Sequence, residues 1–128
     1  MSQLKVFLID DNTLFLVAAS RFLIDFCKVK VVGVAQSVAE ALQKIPEAAP
    51  DLVLLDQTMP GTSGLDAVST IKKLPEHPAV ILVTLNADSA TREEALRAGC
   101  DGFVSKIDFT AELPPLLEAH ARRMGDGG

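Results

Sequence analysis

Short runs of uninterrupted apolar residues alternate along the chain with longer stretches in which apolar positions recur every three or four residues. Val6-Phe7-Leu8-Ile9, Leu52-Val53-Leu54-Leu55 and Val80-Ile81-Leu82-Val83 are the clearest runs. Each is short, bounded by turn residues and apolar on both alternating sides, as a strand buried on both faces must be. Strands that alternate with amphipathic helices build an α/β domain around a parallel sheet. Five strand–helix units fit, with strands at about residues 4–10, 29–35, 51–56, 79–84 and 102–105.

Helix 1 is expected to run from Asn12 or Thr13 to Phe26, with Phe15, Ala19, Phe22 and Phe26 on its core stripe. Leu16, Val17 and Ile24 then fall off that stripe, and exposed apolar groups there predict an interface, through which the domain would self-associate or dock a partner. Helix 2 opens at Ser37, whose Ser37-x-x-Glu40 spacing matches a capping box. Helix 3 spans about residues 65–73 and is ended by Pro75 and Pro78. Helix 4 follows Ser89, and Gly99 is placed to take the left-handed conformation after its last turn.

The last helix is expected to start only at Pro114 or Pro115, because neither proline donates a backbone hydrogen bond and Pro114 disfavours a helical Leu113. Gly125-Asp126-Gly127-Gly128 has nothing to pack and is expected to be a mobile tail or the start of a linker, leaving residues 1–124 as one domain.

Composition narrows the function. The 128 residues, 48% hydrophobic, suit a single domain with one core. A net charge of −5 argues against direct nucleic-acid binding, which rests on clustered Lys and Arg. The doublets Lys72-Lys73 and Arg122-Arg123 are expected in last helical turns, where cations suit the helix dipole. Cys27 and Cys100 are far apart, with no Cys-x-x-Cys, and read as small buried thiols. No run is long enough for a signal-peptide core or a bilayer span, so a cytoplasmic protein without membrane contact is expected.

The chemistry lies at the strand ends. In an open parallel sheet, ligands bind beyond the carboxyl ends of the strands. Asp10-Asp11 follow the first strand, Asp56 ends the third, Thr84 ends the fourth and Lys106 follows the fifth. Three close carboxylates repel one another unless a cation neutralises them, so a hard divalent ion is expected, with magnesium the natural candidate. An aspartate can form an acyl phosphate if the charge of the attacked phosphoryl group is countered by metal and ammonium. Taken singly, these residues have plainer readings: Asp10 to Asn12 as a helix cap, Thr84 as a β-branched strand residue, Lys106 as a solvated charge and Phe103 as core.

Asp10-Asp11, Asp56-x-x-Met59-Pro60-Gly61-x-x-Gly64, Thr84 and Lys106, in this order and spacing over essentially the whole chain, resemble the receiver domain of a two-component response regulator. The resemblance implies a flavodoxin-like (βα)5 doubly wound sheet of strand order 2-1-3-4-5. It also implies that Asp56 accepts phosphate from a sensor histidine kinase or phosphotransfer protein. Asp11, Asp56 and the Thr58 carbonyl would then hold Mg2+, with Asp10 acting mainly through water. Lys106 would pair with the phosphate. Thr84 and Phe103 would move as a switch, altering the face of helix 4, strand 5 and helix 5 for an output domain or effector. Thr58 and Asn86 would tune phosphate lifetime.

Ile107 stands where many receivers carry proline, and Leu85 is bulkier than the usual residue after the threonine. Asp11-Asn12-Thr13-Leu14-Phe15 is similar to the subfamily with helix-turn-helix output domains. Two other functions compete. A haloacid-dehalogenase-like phosphatase needs Asp-x-Asp, but Asn12 occupies the second position and Asp56 is left without a role. A docking module that no longer uses phosphate has no need of the intact acidic set.

Overall fold

The computed structural model describes residues 3–59, 62–85 and 88–127. Its elements in chain order are β1 (Lys5–Ile9), α1 (Thr13–Asp25), β2 (Lys30–Ala35), α2 (Val38–Ala48), β3 (Leu52–Asp56), β4 (Thr58–Met59), β5 (Thr62–Ser63), α3 (Gly64–Lys72), β6 (Ala79–Thr84), α4 (Ser89–Arg97), β7 (Gly102–Ser105) and α5 (Phe109–Gly127). Five parallel strands stand in the order β2-β1-β3-β6-β7, while β4 and β5 form a small antiparallel pair beyond the sheet. With that pair set aside, the main strands follow the expected order 2-1-3-4-5.

The two-residue period of a strand divides the apolar runs between two layers. Phe7, Ile9, Val53, Leu55, Val80 and Leu82 pack with Ala41 and Ile45 of α2, Ala67, Val68 and Ile71 of α3, and Ala95 of α4. Val6, Leu8, Leu52, Leu54, Ile81 and Val83 pack on the other side with Leu16, Ala19 and Leu23 of α1 and with Phe109, Leu113 and Leu117 of α5. Each fully buried side chain of this size contributes about 1.5–3 kcal/mol of transfer free energy, so the central strands are rigid supports for whatever their ends carry.

Local chemistry sets most boundaries. Asn12 caps α1, its side chain accepting from the Phe15 N–H at 3.1 Å. Ser37 Oγ accepts from the Glu40 N–H at 3.1 Å, and the Glu40 carboxylate returns to the Gln36 N–H at 2.9 Å. Its bond to the Lys44 ammonium, followed by that backbone bond, holds the Glu40 carboxyl below its usual value. Gly99 has φ +97°, the left-handed stop after α4. β2 carries an extra residue opposite the Val6–Phe7 step, and a Cβ on Gly33 would come 2.6 Å from the Phe7 ring.

Three expectations are corrected. Leu16 is buried, so it belongs to the core and not to an exposed interface; the sheet-facing stripe is Leu16, Ala19 and Leu23, which keeps Ala19 and replaces Phe15 and Phe22 by their next neighbours. The helix is rotated because Phe15 and Phe22 turn toward Phe109 of α5, at centroid distances of 5.3 and 6.0 Å, while Phe26 stacks on Phe22 and is 74% exposed. Val17 and Ile24 are exposed, as expected.

The last helix begins at Phe109 and holds both prolines in its interior. Burial of Phe109 and Leu113, one turn apart, outweighs the two N–H donors that Pro114 and Pro115 lack. It continues to Gly127. Cys27, finally, is half-buried rather than buried like Cys100; burial raises the thiol pKa of both.

Candidate functional site

Four adjacent strands end at one rim of the sheet. Asp10 follows β1, with its N–H bonded to the Ala35 carbonyl at 3.0 Å. Asp56 is the last residue of β3 and Thr84 the last of β6; Asp56 pairs with Val83, which puts Thr84 one step beyond it on the neighbouring strand. Lys106 follows β7 and donates its N–H to the Thr84 carbonyl at 2.7 Å. The three side chains from the sheet itself are almost sealed, with exposures of 2% for Asp10, 4% for Asp56 and 1% for Thr84.

The carboxylates converge. One oxygen from each of Asp10, Asp11 and Asp56 lies within 4.8 Å of the others, with Asp11 exposed at the mouth. Lys106 Nζ is 2.8 Å from Asp10 Oδ2 and 3.8 Å from Asp56 Oδ2, its side chain only 14% exposed. Asp10 Oδ2 nevertheless accepts no hydrogen bond of good geometry, so its contact with Lys106 is one of charge and not an aligned bond. Asp10 Oδ1 is engaged, accepting the Asn12 N–H at 2.8 Å.

A buried carboxylate oxygen without an aligned donor, beside two further carboxylates, suits a small hard cation that accepts oxygen ligands and keeps waters. Magnesium fits this donor set. The ammonium on the other side leaves the site with one fixed positive charge against three negative ones, so a phosphoryl group needs a divalent ion for charge balance.

Phe103 lies in β7, half-buried against the α3–α4 layer, with the Arg92 guanidinium of α4 5.3 Å from its ring centroid. Thr58 opens β4, but its side chain lies outside the described residues, as does Asn86 altogether. Leu85, next to Thr84, is 63% exposed.

Residues 6–115 match the response regulator receiver domain family. The chain belongs to that family. It is 38% identical over 112 residues to the response regulator GacA of Pseudomonas syringae pv. syringae, covering 86% of this chain and 51% of that protein. It is 36% identical over 107 residues to a protein-glutamate methylesterase/protein-glutamine glutaminase of Carboxydothermus hydrogenoformans, covering 83% of this chain and 32% of that protein. A solved two-component response regulator of the LuxR family from Aurantimonas sp. SI85-9A1 superposes with a TM-score of 0.83 at 30% identity, over 92% of this chain and 84% of that one. The receiver thus spans about half the length of the GacA relative. The family is that of the receiver domains of two-component response regulators, whose site a phosphorylation switch fits.

Phe15 and Arg92 were not singled out as functional by the sequence. Lys106 Nζ is 4.4 Å from the Phe15 ring centroid, a contact between groups 91 positions apart (106 − 15). An apolar residue in an amphipathic helix is fully explained by packing, so no local signal separates Phe15 from its neighbours. Among the described residues, no helix is long and apolar enough to cross a membrane.

Proposed function

We propose that this receiver takes its phosphoryl group on Asp56, from a phosphohistidine of a sensor kinase or phosphotransfer protein, with Mg2+ bound by Asp11, Asp56 and the Thr58 carbonyl and with Asp10 acting through water. The observation that carries the reading is the position of Lys106 Nζ between Asp10 and Asp56 at the mouth where three carboxylates meet. An Asp56 oxygen attacks phosphorus, a new O–P bond forms, and the bond to the donor atom breaks with its electron pair leaving on the donor. Lys106 stays protonated throughout and faces the phosphoryl oxygens. Magnesium, when bound, supplies Lewis-acid charge neutralisation at those same oxygens.

Thr84 and Phe103 are the switch pair in this proposal, and the face formed by α4, β7 and α5 is the surface whose change an output domain or effector reads. Thr58 and Asn86 tune phosphate lifetime, and Val17 and Ile24 supply an association surface on α1. The protein acts in the cytoplasm and turns over no separate substrate. Incubation with acetyl phosphate and Mg2+ tests the centre of this reading: intact-mass analysis is expected to show one phosphoryl group, lost in Asp56→Asn. Steady release of phosphate without a labelled intermediate would favour the phosphatase instead.

A further inference from the structure

Lys106 touches two carboxylates on one side and an aromatic face on the other. Its Nζ is 4.4 Å from the centroid of Phe15, well inside the range over which a ring quadrupole attracts an ammonium. The ring itself is clamped. The Phe15 backbone N–H donates to Asn12 Oδ1 at 3.1 Å, and the Asn12 N–H donates to Asp10 Oδ1 at 2.8 Å, so the turn that places Phe15 also orients Asp10. Phe109, three residues beyond Lys106 (109 − 106), meets the same ring edge-on, with centroids 5.3 Å apart and planes at 76°. Lys106 and Phe109, three residues apart, therefore both meet the Phe15 ring.

We infer that Phe15 is a positioning residue for phosphoryl uptake: its ring holds the Lys106 ammonium at the rim, aimed at Asp10 and Asp56. This rests on Asp56 being the phosphoacceptor. A lysine on a flexible four-carbon stem has many rotamers open to it, and most would carry Nζ out to water. The ring excludes water from one side and rewards the inward rotamer without offering a competing anion. Lys106 is thus in place before the donor arrives, and orienting it costs little as the O–P bond forms at Asp56 and the bond from phosphorus to the donor breaks, its electron pair leaving on the donor atom.

The test compares Phe15→Leu, which keeps an apolar side chain and loses the π face, with Phe15→Tyr, which keeps both. Rates of Asp56 labelling by acetyl phosphate in Mg2+ are expected to fall about three- to tenfold in Phe15→Leu and to stay within about twofold of wild type in Phe15→Tyr. NMR of the Lys106 side chain supplies a second readout that simple packing would not move: ring-current shifts in the wild type and Phe15→Tyr, with scalar couplings of one fixed rotamer in those two proteins and of averaged rotamers in Phe15→Leu. Thermal unfolding of all three confirms that folded proteins are compared. An unchanged rate in Phe15→Leu, a Tyr variant as slow as the Leu variant, or Lys106 signals without ring-current shift in the wild type would each overturn the inference while leaving Asp56 as acceptor. Wild-type protein that takes no phosphoryl group overturns the Asp56 reading, and this inference with it.

Discussion

At the scale of single residues, what made the site legible was contrast. Asp56 and Thr84 terminate strands whose preceding residues are all apolar, and a polar group in that position must be either solvated or used. Their near-complete burial points to use. Leu85 extends the same logic in the opposite direction: an apolar side chain 63% exposed beside a buried threonine does not fill the core, and we expect it to restrict access to Asp56. Leu85→Ala is expected to raise the rate of Asp56 labelling by acetyl phosphate roughly two- to tenfold, a barrier change on the order of 0.4–1.4 kcal/mol. Equal rates for the two proteins would remove any gating role from Leu85. Phe15 shows the limit of residue-level reading, since nothing in a phenylalanine's immediate sequence announces that a lysine will lie over its ring.

At the scale of elements, helix ends set by local caps were read correctly, and the helix faces and starts set by packing were not. Asn12, Ser37 and Gly99 act through their own backbone neighbourhood, so their effect is written locally. Glu40 offers a direct check. Its carboxyl is held low by Lys44 and the Gln36 N–H, so its contribution is present above the ordinary carboxylate value and is lost as pH falls through the depressed folded value. The thermal stability difference between wild type and Glu40→Gln is accordingly expected at neutral pH and should vanish in acid. A difference that grew on acidification would contradict the capping geometry. In α5, the sequence rule that prolines interrupt helices met burial of Phe109 and Leu113, and burial prevailed. Pro114→Ala restores a donor to the Thr110 carbonyl while freeing the unfolded chain, and urea unfolding is expected to show a net gain of about 1–2 kcal/mol. A loss would mean that the ring of Pro114 contributes packing that alanine cannot replace.

At the scale of the whole molecule, the doubly wound sheet keeps three like charges together at one rim. Lys72 links α3 to Asp101 at 2.6 Å, and the same Asp101 carboxylate accepts the Val80 N–H at 2.8 Å, so the strands that carry Thr84 and Lys106 are tied at their opposite ends as well. Lys72 stands in the last turn of α3, as expected, and carries this ion pair in addition. The fold brings the acidic trio together, and a cation that binds only the folded form stabilises it by mass action. Magnesium at a hundred times its dissociation constant is expected to add about 2.7 kcal/mol to the unfolding free energy. The gain should shrink in Asp11→Asn and disappear with a chelator. Urea midpoints unaffected by magnesium would leave the trio without its cation.

The apolar runs, their spacing and the caps were enough to specify an α/β sheet and the residues at its carboxyl rim, because strand burial and helix capping act over a few neighbouring residues. Which way α1 turns, where α5 begins and what lies over Lys106 were decided by contacts between segments far apart in the chain. Leu16 entered the core, Phe15 met Phe109 and the ammonium of Lys106, and two prolines were carried inside a helix. Each of these outcomes balances a local preference against burial with a distant partner, and that balance exists only once the chain has folded.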